Sequence, residues 1–191
     1  MKIRKVEIQQ MVVEQTREMI VTKGLKGLNM VGLANKTGLA KQTLYRIIGT
    51  KEKAIERVVL YQMEQTFGYM NRIIGENPDF SDFITKFLAE APAFLSKVPR
   101  VTLPEIFREY PSIEKNATEH QKELAGPIIA FFRKAMTEGQ LRDDISPEFL
   151  FDLARGGVLE HYIRSGLTGE KLQTALALSF KCLFEGTMRR D

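Results

Sequence analysis

The stretch from Gly24 to Ala54, GLKGLNMVGLANKTGLAKQTLYRIIGTKEKA, leaves this chain few choices of fold. Asn29 is a good N-cap for a helix through Lys36, and Gly38 turns the chain. The next helix runs from about Ala40 to Ile48, where Gly49 ends it, and Thr50 caps a long helix starting near Lys51. Two short helices joined by a tight turn need each other, the first bracing the second. Leu33, Ala34 and Leu39 face a small core together with Leu44 and Ile48, which are four apart and share one face. Lys41, Gln42, Tyr45 and Arg46 are left on the other faces, free to reach outward.

The remaining pattern is helical as well. Val6 to Lys23 puts Ile8, Val12, Met19 and Ile20 near one face, with Lys23 and Gly24 as a C-terminal stop. After the long helix to about Ile74, GENPD (75–79) is a clear break. Phe80 to Val98 follows, kinked at Pro92. A short helix lies within Pro99 to Pro111, then a longer one from Ser112 to Glu138 that Pro127 bends or splits. Ser146 caps and Pro147 starts the next helix. The last two helices cover about 147–165 and 168–188. No segment alternates with a period of two, so the expected fold is all-α, with about nine helices and no sheet.

Charge is concentrated at one end. Met1 to Lys53 carries 11 Lys+Arg against 4 Asp+Glu, a balance of +7, whereas Ala54 to Asp191 has 17 against 20, a balance of −3. A basic segment of this kind suits a phosphate backbone, whose released counterions supply much of the non-specific binding energy. The single cysteine, Cys182, rules out an internal disulfide and fits a reducing, cytoplasmic location. Its neighbours Ser179, Phe180, Leu183 and Phe184 predict a buried structural thiol. MKIRKVEIQQ is not read as a secretory leader, and no run approaches the roughly 20 apolar residues of a membrane span. There is no nucleophile–base cluster, zinc spacing or phosphate-binding glycine loop, so neither an enzyme nor a metal or cofactor is expected. The two histidines, His120 and His161, are too far apart to form a metal motif.

The spacing of the two short helices suits a helix-turn-helix whose second helix lies in the major groove of duplex DNA. Thr43-Leu44-Tyr45, Ile48 and Lys51-Glu52, with Gly24, Leu33-Ala34 and Gly38-Leu39, resemble the signature of TetR-family regulators. The likeness covers about residues 8 to 54. Ile48, Thr16 and Ala54 depart from it at packing positions, where the family usually has Phe, Ala and Leu. The turn Glu138 to Asp144 before Pro147 resembles the one that precedes the family's dimerising helices. The resemblance implies phosphate contacts from Tyr45 and Lys51, and base or nearby backbone contacts from Lys41, Gln42 and Thr43. Asn29 and Arg46 complete the candidate DNA-binding residues. Lys2, Arg4 and Lys5 are either a disordered tail or a groove and phosphate arm.

The expected organisation is a DNA-binding domain over 1–50 and an effector-binding and dimerisation domain over 51–191. Phe67, Phe83, Phe87, Phe107, Phe131 and Tyr162 are candidates to line an effector pocket, although aromatics at helical spacing are ordinarily core. Leu153, Gly157, His161, Leu172, Leu176 and Phe180 are candidates for a homodimer interface, with intrachain packing as the alternative. The implied function is a ligand-responsive regulator. It is a repressor that binds a palindromic operator as a homodimer and is released by a small, apolar effector. An activator or an effector-independent DNA-binding dimer is the alternative.

Overall fold

Helices begin and end in the computed structural model at the capping and turn residues named above. The model describes residues 2–77, 79–97, 103–158, 167 and 169–187, and all nine elements among them are helices. They are α1 (Lys2–Gly27), α2 (Met30–Thr37), α3 (Lys41–Ile48), α4 (Lys51–Glu76) and α5 (Phe80–Lys97). α6 (Leu103–Glu109), α7 (Pro111–Thr137), α8 (Pro147–Val158) and α9 (Gly169–Thr187) follow. α1 is regular up to Gly24, whose backbone swings to φ 70° and ψ 174° and so ends the helix proper. The α1 backbone is helical from Lys2, so it does not form a loose tail there. The expected end of α5 at Val98 and the far part of the helix expected over 147–165 lie outside the described residues.

Neither internal proline divides its helix. α5 runs through Pro92 and α7 runs through Pro127. An internal proline costs about 3 kcal/mol. In α7 that cost is offset because Ile128, Phe131 and Phe132 are all buried on the turn that follows, each contributing roughly 1.5–3 kcal/mol.

Two compact units divide the chain, and they do not follow a boundary at residue 50. The first comprises Met1–Glu64 with Arg100–Gln121, the second Gln65–Pro99 with Lys122–Asp191. In the first, Ala54, Ile55, Val58 and Val59 of α4 lie in the same core as Val12, Met19, Leu33, Leu44 and Ile48. Ile106 of α6 and Ile113 and Ala117 of α7 complete that core. Thr16 is fully buried within it, with its hydroxyl donating to the Val12 carbonyl at 2.7 Å, so this polar departure from the family pattern is satisfied in place.

In the second unit α5 packs along α9, and α8 packs on α9. Phe80 is the hub: its ring centroid lies 5.9 Å from those of Phe83 and Phe131, 6.3 Å from Phe132 and 6.1 Å from Phe184. Phe87 contacts Phe180 edge-on at 4.7 Å. Cys182 is exposed, not buried as its neighbours suggested. Leu172, Leu176, Phe180 and Phe184 form the buried stripe, and Cys182 sits half a turn away beside the exposed Leu178.

The Asn29 cap tests how α2 is set. The Asn29→Ala variant is expected to lose about 1 kcal/mol of stability, and Asn29→Gly only a few tenths. Urea unfolding followed by circular dichroism measures both, and an unchanged midpoint for the alanine variant would rule the cap out as a stabilising contact.

Candidate nucleic-acid interface

α3 has only eight residues, and packing decides how it is presented. Leu44 and Ile48 are buried, anchoring one face. Lys41, Gln42 and Arg46 are exposed on the other faces, Thr43 is partly exposed, and Tyr45 keeps 43% of its surface in solvent. The Tyr45 side chain is thus open to solvent over a large part of its surface. The sequence of α3, KQTLYRII, holds no acid to offset its two cations. Lys51, half-buried, opens α4 just beyond the turn at Gly49. Five of the seven candidates thus come together on one short helix, with Lys51 close behind it in sequence.

Asn29 is used differently. Its Oδ1 accepts from the Gly32 N–H at 2.7 Å and its Nδ2 donates to the Gly27 carbonyl at 3.4 Å, so both ends of the amide hold the α2 N-terminus. Gly38 carries the turn at φ 66° and ψ 16°, a left-handed conformation that favours glycine, with its N–H on the Ala34 and Asn35 carbonyls. Lys36 pairs with Glu18 of α1 at 2.6 Å, which ties α2 down and occupies that cation.

A carboxylate seam fastens α4 to α7 inside the first unit. Glu56 is buried, accepts from Lys53 Nζ at 2.6 Å and also accepts from Asn116 Nδ2. Glu52, one turn earlier, accepts from the Ser112 hydroxyl. Further along, Glu64 Oε1 lies 3.4 Å from His120 Nε2. Burial alone would raise the Glu56 pKa, but the hydrogen bonds from Lys53 and Asn116, with the charges of Lys53 and Arg57, bring it below its ordinary value. The sequence reading missed all three pairs, because their partners stand 56 to 60 residues apart and neither member is unusual by itself.

In the second unit the candidates for the effector pocket and the dimer interface fall in different surroundings. Phe83, Phe87 and Phe131 are buried against one another, with centroids 5.5 Å apart for Phe83–Phe87 and 4.9 Å for Phe83–Phe131, so they fill the core. Phe67 is partly buried and meets Phe151 at 6.1 Å. Phe107 belongs to the first unit and packs on that unit's own core, and Tyr162 lies outside the described residues. An open hollow of about 620 Å³ borders the 139–147 turn, with Arg133, Asp143 and Asp144 on its walls, not phenylalanines.

Two polar atoms of α4 stand out in this unit: Tyr69 Oη and Asn71 Oδ1 are buried with no hydrogen-bond partner among the described residues. The Tyr69 ring stacks on Phe94 at 3.9 Å, and burial, reinforced by Glu90, pushes its phenol up to about 12. Leu172, Leu176 and Phe180, expected at a dimer interface, are core residues of this unit, because the helical phase turns them toward the phenylalanine cluster. Gly157 packs near Ser179, at 3.9 Å from where a Cβ would stand, and His161 lies outside the described residues. The apolar side chains that do face outward are Leu153 at 43% exposure, Phe149 at 52% and Leu178 at 57%.

Among the described residues no group of His, Cys, Asp and Glu could hold a metal ion, and no helix is long and apolar enough to cross a membrane.

No protein-family model matches the chain, and no curated protein matches it. Solved structures match it closely in fold. A structure assigned to the TetR family of transcriptional regulators, from Mesorhizobium loti, superposes with a TM-score of 0.76 at 17% identity, covering 97% of this chain and 99% of its own. A TetR-family regulator from Cytophaga hutchinsonii gives 0.74 at 16% identity, covering 98% of each chain. A ketosteroid transcriptional regulator of Mycobacterium tuberculosis gives 0.65 at 13%, covering 95% of each. The chain has the fold of the TetR-family transcriptional regulators.

Because the Glu56 pKa is lowered in the folded protein, its contribution to stability is present above the ordinary carboxylate value of 4.5 and is lost as pH falls through the folded value. Glu56→Gln is therefore expected to flatten the acid limb of a plot of thermal midpoint against pH below about 4.5. A variant whose acid limb overlays that of the parent would remove Glu56 from the account.

Proposed function

We propose that this protein is a TetR-family transcriptional regulator that binds duplex DNA as a homodimer. It acts as a repressor on a palindromic operator and is released by a small effector. The observation that carries this reading is the split of α3 into a buried face, Leu44 and Ile48, and an exposed face of Lys41, Gln42, Tyr45 and Arg46. That face has the reach and donors for the major groove, where Arg or Lys reads guanine and Gln reads adenine. Tyr45 and Lys51 hold phosphates, which fixes register without reading sequence. Thr43, on the same helix, meets bases or nearby backbone.

Two reading heads must meet half-sites about one helical turn or more apart, which requires a dimer. Phe149, Leu153 and Leu178 form its apolar contact, because they are the exposed large side chains of α8 and α9. The effector lodges in the second unit, where the buried Tyr69 Oη supplies a polar recognition group and Phe94, stacked on the Tyr69 ring, supplies part of an apolar wall. The ketosteroid regulator among the structures of similar fold supports an apolar effector. Control requires that the effector bind one arrangement of the dimer better than the other.

A constitutive DNA-binding dimer is the second reading. It is favoured by the mutual packing of Phe83, Phe87 and Phe131, which leaves those three lining no cavity. A thermal-shift series with apolar ligands separates the two readings, since the effector reading requires some of them to raise the unfolding temperature.

Fluorescence anisotropy with a random-sequence duplex pool at low salt tests the reading head. The parent is expected to bind with an affinity that falls steeply with salt. Lys41→Ala combined with Tyr45→Ala is expected to weaken binding at least tenfold with an unchanged helical spectrum, since both side chains are exposed. Equal binding by this double variant would sink the reading.

Analytical ultracentrifugation tests the dimer face. Leu178→Glu with Phe149→Glu is expected to give a folded monomer, whereas Leu176→Glu, placed in the core, is expected to unfold the second unit. A dimer that persists in the exposed-face variant would overturn this interface.

A further inference from the structure

We infer that the first unit holds a binding site of its own for a small aromatic carboxylate, a cleft between α1, the end of α3 and α4. Its volume is about 210 Å³. That is below the roughly 300–1,000 Å³ of pockets for drug-sized ligands, so it suits a single-ring molecule. The floor is apolar, made by Val13, Ile47, Ile48 and Leu60, and Gln9, Gln10, Arg57, Tyr61 and Glu64 supply polar groups on the walls. Gln10 Nε2 donates to the Tyr61 hydroxyl at 3.3 Å, which holds α1 against α4 beside the cleft.

Charge complementarity selects the occupant. Arg57 is exposed and lines the cleft, its charge also acting on Glu56, and the glutamine amides add neutral donors. Glu64, the one acid of the lining, lies seven residues further along α4, about 10 Å away by helix rise. Its carboxylate lies beside His120, at 3.4 Å. A ring resting on the isoleucines and Tyr61 therefore places its carboxylate at the Arg57 end. Arg57 is exposed, so an anion paired with it keeps part of its hydration and avoids the cost of full burial.

The consequence follows from the floor. Ile48 anchors α3 in the unit's core and Ile47 packs against that core, so an occupant presses directly on the last turn of the helix read above as the DNA-reading element. This regulatory role rests on that reading, whereas binding of the carboxylate does not. The site is also separate from an effector position in the second unit.

Methyl NMR of the full-length protein labelled at isoleucine, without DNA, tests the cleft with benzoate as the probe and benzamide as its uncharged isostere. Saturable shifts confined to isoleucines bordering the cleft, Ile47 and Ile48 foremost, are expected, with benzamide at least tenfold weaker. Arg57→Gln, a change at an exposed position, is expected to erase the preference for benzoate, and Leu60→Trp to abolish binding by filling the cleft. Absence of saturable shifts at millimolar benzoate, equal affinity for the two probes in the parent, or an undiminished preference in Arg57→Gln would each overturn the site. Because the titration contains no DNA, a protein that takes up benzoate but ignores duplexes would refute the reading head and leave the cleft standing.

Discussion

The burial of Leu44 and Ile48 is the contact on which the rest of the first unit depends. A helix the length of α3 is not stable alone in water, where roughly 12–15 residues are the practical minimum. α3 exists because two of its side chains enter a core built by α1, α2 and α4. The same two residues fix its rotation, since anchoring one face leaves Lys41, Gln42, Tyr45 and Arg46 nowhere to go but outward. Folding stability and presentation of the face proposed to read DNA are one problem here, with one solution.

That core extends well beyond a three-helix head. The start of α4 contributes as much to it as α2 does, Ile106 brings in α6, and the carboxylate seam fastens the start of α7. Glu56 shows how the seam is made tolerable. A buried carboxylate costs several kcal/mol unless it is paired and hydrogen-bonded, and here Lys53 supplies the charge while Asn116 supplies a second donor. Removing Asn116 would leave a buried lone pair without that donor, and removing Lys53 would take away the hydrogen-bonded cation and leave the charge of Arg57. The first unit is therefore a composite of Met1–Glu64 and Arg100–Gln121, and a boundary at residue 50 would cut through it.

Local chemistry was legible in the sequence, and phase and distance were not. Asn29, Gly38, Gly49, Thr50 and Ser146 each stop or start a helix by a mechanism confined to a few residues, and each behaves as expected. The outward residues of α3 followed from the four-residue spacing of Leu44 and Ile48. Cys182, Leu172, Leu176 and Phe180 were misjudged for one shared reason. α9 is rich in apolar residues around most of its circumference, so hydrophobicity near a position does not reveal which side meets the core. The exposed Leu178 carried the missing signal, standing half a turn from Leu176 and Phe180. The Glu56–Asn116 and Glu52–Ser112 pairs left no trace in sequence spacing, because helices sixty residues apart meet only through the tertiary fold.

The second unit sets a physical condition on any effector control. Its phenylalanines already satisfy one another, and displacing a well-packed aromatic side chain forfeits burial of roughly 1.5–3 kcal/mol. An effector that merely replaced one apolar contact by another would gain little and would shift no equilibrium. Tyr69 and Asn71 change that balance, since a buried hydroxyl or amide without a partner costs about 1–3 kcal/mol until something bonds to it. A ligand able to hydrogen-bond one of those atoms while occupying apolar space would recover that energy; two residues apart on α4, the two side chains face different sides of the helix. That recovered energy can be specific to one conformation, and only such differential affinity moves a population. In the proposed effector control, the deciding contact is therefore a buried polar atom such as Tyr69 Oη beside Phe94, more than the size of the apolar surface around it.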